Sequence, residues 1–390
     1  MNCKVSHPTK IVNCEINLPS SKSISNRLLI IKALSKDNFK INNLSDSNDT
    51  KNLITALSLS RKNIDVNHAG TNFRFLTSFL ALQYNKEFIL TGSDRLKERP
   101  IKTLVKVLKK MGAQIEYLEK EGHAPLKILG TKLKGGRIEI DGSISSQFIS
   151  SVLMIAPTLN EGIELRISGN IVSNPYILMT LKIMSEFQIK WSWVDNTIII
   201  KKQDYIAKDY TVESDWSAAA FWFEIASLAK ECNIKLWGLQ QKSIQGDINV
   251  IKIFKKLGVS SVFKNKILTL TKNKQDCIFK KINLIKNPDL YQPLKCTLFA
   301  KNIKVEMLGL QTLKNKESDR ITAVKKELKK LELTKIIETY KDHRMAMSFA
   351  PLSLIFNELI ITNLEVVNKS YPNFWKDLKK GGFIISSLTD

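Results

Sequence analysis

The chain has 390 residues, 43% of them hydrophobic and 25% charged, with a formal net charge of +23 at pH 7. This composition is typical of a globular protein and excludes a disordered one, and the length predicts two domains. The lysines are spread along the whole chain and are not clustered. This distribution is expected from the compositional bias of an AT-rich coding sequence. The charge therefore favours small anionic substrates over a nucleic-acid partner.

The first predicted element is a helix that begins just after Pro19. Two cations, Lys22 and Arg27, and several serine hydroxyls surround its start. Free backbone N–H groups, capping hydroxyls and the positive end of the helix dipole together make such a start suitable for an anion. Plain helix capping is the alternative interpretation of this segment.

A helix, a tight turn and two strands then recur along the chain. Apolar residues at helical spacing predict helices, and short runs rich in β-branched and other apolar residues after each helix predict strands. The predicted helices are residues 101–111, 177–187 and 248–257, and the predicted strands are residues 114–118, 189–194, 198–200, 259–263 and 267–270. The sequence therefore predicts an α/β protein built from several copies of one motif.

Five further segments place hydroxyl, small or basic residues at predicted helix starts. They are residues 68–74, 93–100, 141–148, 314–321 and 340–347. Each has an ordinary alternative: Glu317 and Arg320 could form a surface ion pair, Asp342 could cap its helix, and His343 could be a structural histidine. Together they indicate a substrate that carries several anionic groups.

The five cysteines are scattered and form no C-x-x-C pair, which argues for a reducing compartment and against a zinc site. No apolar run is long enough to cross a bilayer, and the N-terminal residues lack the hydrophobic segment of a signal peptide. We expect a cytoplasmic protein with no metal and no membrane partner.

Taken in order, the motifs resemble the EPSP synthase (3-phosphoshikimate 1-carboxyvinyltransferase) family from about Leu18 to Phe374. The matching segments are Ser21-Lys-Ser-Ile-Ser-Asn-Arg27, Ala69-Gly-Thr71 with Arg74, Lys97-Glu-Arg-Pro100, Ser145-Ser-Gln-Phe148, Lys316-Glu-Ser-Asp-Arg320 and Asp342-His-Arg-Met-Ala-Met347. The resemblance implies the enolpyruvyl transferase fold: a two-domain, inside-out α/β barrel whose domains each hold three βαβαββ units. It further implies one domain from residues 1–19 and 213–390, a second from residues 20–212, and an active site in the cleft between them.

The resemblance also implies a reaction. The enolpyruvyl group of phosphoenolpyruvate moves to the 5-hydroxyl of shikimate 3-phosphate, which gives 5-enolpyruvylshikimate 3-phosphate and phosphate on the route to chorismate and aromatic amino acids. No cofactor is implied, the partners are the two substrates, and the expected state is a monomer.

Site residues follow from the same motifs. The resemblance implies Asp289 as the base for the 5-hydroxyl and Glu317 as the proton donor, with Lys22 assisting. The residues implied for shikimate 3-phosphate are Lys22, Ser23, Arg27, Ser145, Ser146, Gln147, Ser173, Tyr176, Asp289, Thr312 and Lys316. Those implied for phosphoenolpyruvate are Lys22, Gly70, Arg95, Gln147, Arg320, Arg344 and Lys369.

Two gaps between motifs are shorter than is usual in the family. Arg27 and Arg74 lie 47 residues apart, and Arg320 and Arg344 lie 24 apart. We predict that two of the six units, one in each domain, have lost or shortened strands. His68, Phe75 and Thr312 also stand where other residues are common in the family.

Two alternatives remain at the level of sequence. UDP-N-acetylglucosamine enolpyruvyl transferase shares the fold and the chemistry, but its site should carry an activated thiol, and no cysteine lies near Arg95. A non-catalytic anion- or nucleic-acid-binding relic would fit the shortened units and the positive charge. The joint presence of Lys22, Asp289 and Glu317 argues against such a relic.

Overall fold

The protein is described by a computed structural model that covers residues 1–273, 279–331 and 333–388. Cys277 lies outside the described residues. The chain divides into two compact units, here called unit 1 (residues 1–21, 45–48 and 213–390) and unit 2 (residues 22–44 and 49–212). Both mix helices with strands, which confirms the predicted α/β class.

The strands are short, and most bury every second side chain. In the described residues they are β1 Asn2–Ser6, β2 Ile11–Asn17, β3 Ile41–Asn42, β4 Asn63–Asp65, β5 Glu87–Thr91, β6 Gln114–Tyr117, β7 Leu126–Leu129, β8 Gly136–Asp141, β9 Ile163–Ser168, β10 Ser192–Val194, β11 Thr197–Ile200, β12 Tyr210–Thr211, β13 Glu231–Trp237, β14 Val259–Lys264, β15 Ile267–Lys272, β16 Lys281–Asn283, β17 Glu306–Leu308, β18 Ile336–Ile337, β19 Glu358–Ile361 and β20 Ile384–Leu388.

The helices alternate with these strands. They are α1 Lys22–Leu34, α2 Asn48–Leu57, α3 Gly70–Ala81, α4 Asp94–Lys97, α5 Lys102–Lys110, α6 Ser146–Ile155, α7 Asn174–Glu186, α8 Trp216–Leu228, α9 Val250–Lys255, α10 Tyr291–Ala300, α11 Arg320–Lys330, α12 His343–Phe349, α13 Ser353–Phe356 and α14 Phe374–Lys380. Short 3₁₀ turns at Gly246–Asn249, Pro288–Leu290, Gln311–Asn315 and Leu364–Lys369 carry residues discussed below.

Four sheets repeat one topology. Their strand orders are β4-β5-β7-β6, β8-β9-β11-β10, β2-β13-β15-β14 and β18-β19-β1-β20. In each sheet the first two strands are parallel and the other two add as antiparallel neighbours. Two of these sheets, formed by β4 to β7 and by β8 to β11, are continuous βαβαββ units. The other two have the same strand order, but β2 and β1 join them from the N-terminal end of the chain.

The remaining two sheets have only two strands within the described residues. β3 pairs in parallel with β12 in unit 2, and β16 pairs in parallel with β17 in unit 1. Each is the parallel half of the repeated topology, and the antiparallel half is missing from the described stretches between α2 and β4 and between α11 and β18. These stretches lie inside the two short gaps, so the prediction of one shortened copy in each half of the molecule is confirmed.

The helices form the interior of each unit. In unit 1, α8 buries 12 of its 13 residues, and in unit 2, α6 buries 9 of 10. In unit 2, α6 packs on both α3 and α7, and in unit 1, α8, α10 and α12 pack on one another. Helices that are apolar all round need neighbours on every side, which the surrounding helices and sheets provide.

One predicted strand is shorter than expected. Strand β10 covers only Ser192–Val194, although the pattern predicts a strand from residue 189. The backbone of Lys190 bonds the Gln203 side chain on both its N–H and its carbonyl, at 2.8 and 2.9 Å, and so does not enter the sheet ladder. Alternating apolar residues cannot reveal such a side-chain competitor.

Candidate active site

In unit 2, the predicted anion-binding residues lie at the starts of buried helices. Lys22 is the first residue of α1, and its Nζ lies 2.9 Å from Oδ2 of Asp49. Ser23 follows it, and its carbonyl accepts a hydrogen bond from Arg27. Just before the helix, the backbone N–H of Ser21 donates to the carbonyl of Glu213 at 2.9 Å, which fixes how the chain enters α1.

Arg27 is a cation buried among neutral groups. Its side chain is 2% exposed. Its guanidinium donates to the Thr180 hydroxyl at 2.7 Å, the Ser23 carbonyl at 2.9 Å, the Ser150 hydroxyl at 3.2 Å and the Tyr176 carbonyl at 3.4 Å. Within the described part of the chain it forms no ion pair, and burial lowers its pKa to about 10. A buried, uncompensated charge is costly, which favours binding of an anion here.

The start of α3 brings two arginines to Gly70. Arg74 Nη1 donates to the Gly70 carbonyl at 2.9 Å, and a Cβ at position 70 would collide with the guanidinium groups of Arg99 and Arg74. A larger residue at position 70 would therefore displace these guanidinium groups. Arg99 is 6% exposed and was not among the predicted site residues.

The predicted Arg95 lies in a different environment. It belongs to the short helix α4 and pairs with Glu98 at 2.6 Å, with 36% of its side chain exposed. The Lys97-Glu-Arg-Pro100 motif marked this segment as cationic, but it gave no means of choosing between two arginines four residues apart. Of the two arginines, Arg99 is the more buried and lies beside Gly70.

The starts of α6 and α7 carry the predicted phosphate ligands. Ser145 caps α6 by accepting from the Gln147 backbone N–H, Ser146 is buried, and Gln147 Nε2 donates to the Thr71 hydroxyl at 3.0 Å. The Gln147 contact ties α6 to α3. Ser173 precedes α7 with a positive φ of 53°, and Tyr176 lies in the first turn. Since Arg27 also bonds groups on α6 and α7, side-chain contacts connect α1, α3, α6 and α7.

Unit 1 contains a dense cluster of charges around Arg320, the first residue of α11. Its guanidinium lies 3.0 Å from Asp289, 2.9 Å from Glu317 and 2.9 Å from Asp342, and it is 2% exposed. The alternative of an ordinary surface pair between Glu317 and Arg320 is therefore wrong, because both side chains lie inside the cluster.

Three cations surround the carboxylate of Asp289. Arg344 Nη2 lies 3.1 Å from Oδ2, and Lys316 Nζ lies 3.8 Å from the same Oδ1 that accepts from Arg320. Burial alone would raise the pKa of Asp289, but the charges of Arg344, Lys316 and Arg320 outweigh it and hold that pKa well below its ordinary range. Asp289 is therefore ionised at neutral pH.

The remaining predicted residues lie at the edges of this cluster. Lys369 Nζ lies 3.5 Å from Oε1 of Glu317. Asp342 caps α12 by accepting from the Arg344 backbone N–H at 3.0 Å, so it holds the helix start and Arg320 at once. Thr312 lies in the 3₁₀ turn before Lys316, and its buried hydroxyl finds no hydrogen-bond partner among the described residues.

The family model of EPSP synthase (3-phosphoshikimate 1-carboxyvinyltransferase) matches residues 6–64 and 58–378. The chain belongs to this family. A relative from Bacteroides fragilis named 3-phosphoshikimate 1-carboxyvinyltransferase is 42% identical, with 98% of each chain covered. One of the same name from Buchnera aphidicola subsp. Cinara cedri is 38% identical, with 95% of each covered.

Comparison with solved structures also finds the fold of the EPSP synthase family. An EPSP synthase from Acinetobacter baumannii superposes with a TM-score of 0.79 at 20% identity, covering 99% of this chain and all of the other. The family result favours the main interpretation over a UDP-N-acetylglucosamine enolpyruvyl transferase or a relic. No helix in the described ranges is long and apolar enough to span a membrane.

Proposed function

We propose that this chain transfers the enolpyruvyl group of phosphoenolpyruvate to the 5-hydroxyl of shikimate 3-phosphate and releases phosphate. Membership of the EPSP synthase family supports the reaction. The observation that carries it is the ionised carboxylate of Asp289 among three cations, Arg320, Arg344 and Lys316, because an acid–base reaction between two anions needs these groups in one place.

We assign shikimate 3-phosphate chiefly to the helix starts of unit 2. Arg27 and Ser23 hold its carboxylate, since Arg27 is a buried cation held by neutral partners. Ser145, Ser146, Gln147 and Ser173 offer hydroxyl, amide and backbone donors to its phosphate. Tyr176 packs on the ring, and we include Thr312 and Lys316 in the same set.

We assign the phosphate of phosphoenolpyruvate to Gly70, Gln147, Lys22 and Lys369, together with an arginine of the 93–100 segment. Arg99 is the better choice than Arg95, because its guanidinium already lies against Gly70. The carboxylate of this substrate takes Arg320 and Arg344, whose planar groups suit forked hydrogen bonds. The substrate carboxylate then takes the place of the Asp289 carboxylate, which pairs with both arginines in the structure.

The proton transfers fall to the carboxylates. Glu317, with Lys22 assisting, gives a proton to the methylene carbon of phosphoenolpyruvate as the 5-oxygen bonds to the neighbouring carbon. Asp289 takes the hydroxyl proton. The tetrahedral intermediate then loses phosphate, and the new methyl group returns a proton to the Glu317 carboxylate, which restores the double bond and the protonated Glu317. We propose that the enzyme is cytoplasmic and acts as a monomer without a nucleic-acid partner.

The test is phosphate release from purified protein supplied with both substrates, with Lys22→Ala as the control. We expect phosphate only when both substrates are present and a loss of at least a hundredfold in the variant, since general acid–base and electrostatic contributions are each worth roughly that much. A folded protein that binds shikimate 3-phosphate without releasing phosphate would show a binding relic instead.

A further inference from the structure

A second buried carboxylate lies behind the Asp289 turn. Asp247 sits in the 3₁₀ turn Gly246–Asn249 and is 2% exposed. Its Oδ2 accepts a short hydrogen bond of 2.5 Å from the Ser217 hydroxyl, and its Oδ1 accepts one of 3.3 Å from the Asn287 side chain. None of the site assignments above uses this group.

Asn287 connects Asp247 to Asp289. It is the residue before the 3₁₀ turn Pro288–Leu290, so its conformation sets where Asp289 points. Its amide is held from two sides, because it donates to Asp247 and accepts from Asn249 Nδ2 at 3.4 Å. Side-chain bonds that lock a supporting residue are what keep a reactive group in position.

The charges around both carboxylates are known from the structure. Asp247 is influenced by Asp289, Arg344 and Asp215. Burial and the charge of Asp289 raise the pKa of Asp247 to about 6, while the Ser217 hydrogen bond and the charge of Arg344 act in the opposite direction. Asp289 is itself influenced by Arg344, Lys316, Arg320 and Glu317.

We propose that Asp247 is a positioning residue for the base Asp289: it anchors the Asn287 turn, and its negative charge strengthens Asp289 as a proton acceptor. This inference rests on the proposed function. Three cations make Asp289 a weak base, because they stabilise its charged form. A nearby second negative charge offsets them, and it is lost when Asp247 takes up a proton.

The test compares kcat/KM of the wild type and Asp247→Asn across pH. Asparagine keeps the shape of the side chain but cannot ionise. The phosphates of the substrates titrate equally with both enzymes, so the ratio of the two kcat/KM values isolates the protein. We expect a ratio of roughly ten at about pH 8 that falls towards one at about pH 5, with its midpoint near the pKa of about 6.

Ser217→Ala provides a second variant that keeps the carboxylate. Loss of the hydroxyl removes a bond that lowers the pKa of Asp247, so the midpoint of the wild-type acid limb should move to higher pH. The position of this limb tests the inference even where Asp247→Asn fails to fold. A purely structural role would lower the rate by the same factor at every pH and leave the limb in place.

Two results would overturn the inference: a wild-type to Asp247→Asn ratio that is flat with pH, or a limb that Ser217→Ala leaves unmoved. Asp289→Asn separates this failure from failure of the proposed function. If Asp289→Asn is inactive while the ratio stays flat, Asp289 is the base and Asp247 does not assist it. If Asp289→Asn keeps wild-type turnover, the base assignment itself is wrong, and the inference about Asp247 fails with it.

Discussion

Arg99 illustrates what a single residue's surroundings add to a motif. The sequence indicates a cationic segment at residues 93–100, but it does not show which of the two arginines, Arg95 or Arg99, binds the substrate. The structure buries Arg99 beside Gly70 and leaves Arg95 in an exposed pair with Glu98. Arg99 follows α4, and which of the two arginines turns inward depends on tertiary packing that this short segment does not encode.

The two arginines can be separated by matched alanine variants. We expect Arg99→Ala to raise KM for phosphoenolpyruvate at least tenfold, because a charge-assisted contact to phosphate is worth about 1.5–3 kcal/mol. Arg95→Ala should change it less than twofold, because an exposed ion pair contributes about 0–1 kcal/mol. Steady-state kinetics with saturating shikimate 3-phosphate measure both. If Arg95→Ala raised KM more than Arg99→Ala, Arg95 would be the residue that binds the phosphate.

Helices and strands were predicted well where their patterns are local. The predicted helix 101–111 and strand 114–118 correspond to α5 Lys102–Lys110 and β6 Gln114–Tyr117. The pairing of β2 with β13 could not be predicted, because the partners Cys14 and Ile234 are 220 positions apart in the sequence. Residue spacing identifies a strand, but it carries no information about a partner so distant.

Two helix caps of the same residue type allow a controlled comparison. Asp319 caps α11 and bonds the backbone of Ile321 and Thr322, each at 3.2 Å. Asp342 caps α12, but it also holds the buried Arg320. We expect Asp319→Ala to cost about 1 kcal/mol of unfolding free energy, as for an ordinary cap. Asp342→Ala should cost about 3 kcal/mol, because it also breaks a buried ion pair.

Denaturant unfolding at pH 7 measures both caps. Activity gives a second readout: Asp319→Ala should keep kcat, whereas Asp342→Ala should lower it by freeing Arg320 to move. Equal losses of stability for the two variants would show that Arg320 is held sufficiently by Asp289 and Glu317 alone.

At the scale of the whole chain, the spacing of motifs predicted that two units have lost strands, and the structure shows where those strands are missing. The intervals after Arg27 and Arg320 are short, and the structure lacks one antiparallel strand pair in the described part of each interval. Of the remaining parallel pairs, β16 and β17 are joined by the helix α10, whereas β3 and β12 are separated by residues 43–209. Since α1 and α11 carry Lys22 and Arg320, the shortened copies retain the helix starts that the proposed reaction needs.

The net charge of +23 is a property of the whole molecule, and its role can be separated from that of the buried cations. Charges separated by more than the Debye length, about 8 Å at physiological salt, are largely screened. The exposed Lys329 lies near the far end of α11, about 14 Å along the helix axis from Arg320. Its charge should therefore matter little to the substrates.

We expect Lys329→Glu to change KM for either substrate less than twofold at about 0.15 M salt. Raising NaCl from about 50 to about 500 mM should increase both KM values several-fold in wild type and variant alike, with kcat nearly unchanged, because salt weakens the encounter of anions with cationic sites. Steady-state kinetics at each salt concentration decide between local and distributed charge. A several-fold rise in KM for Lys329→Glu at about 0.15 M would mean that the distributed lysines draw in the substrates, and that the charge is more than a consequence of composition.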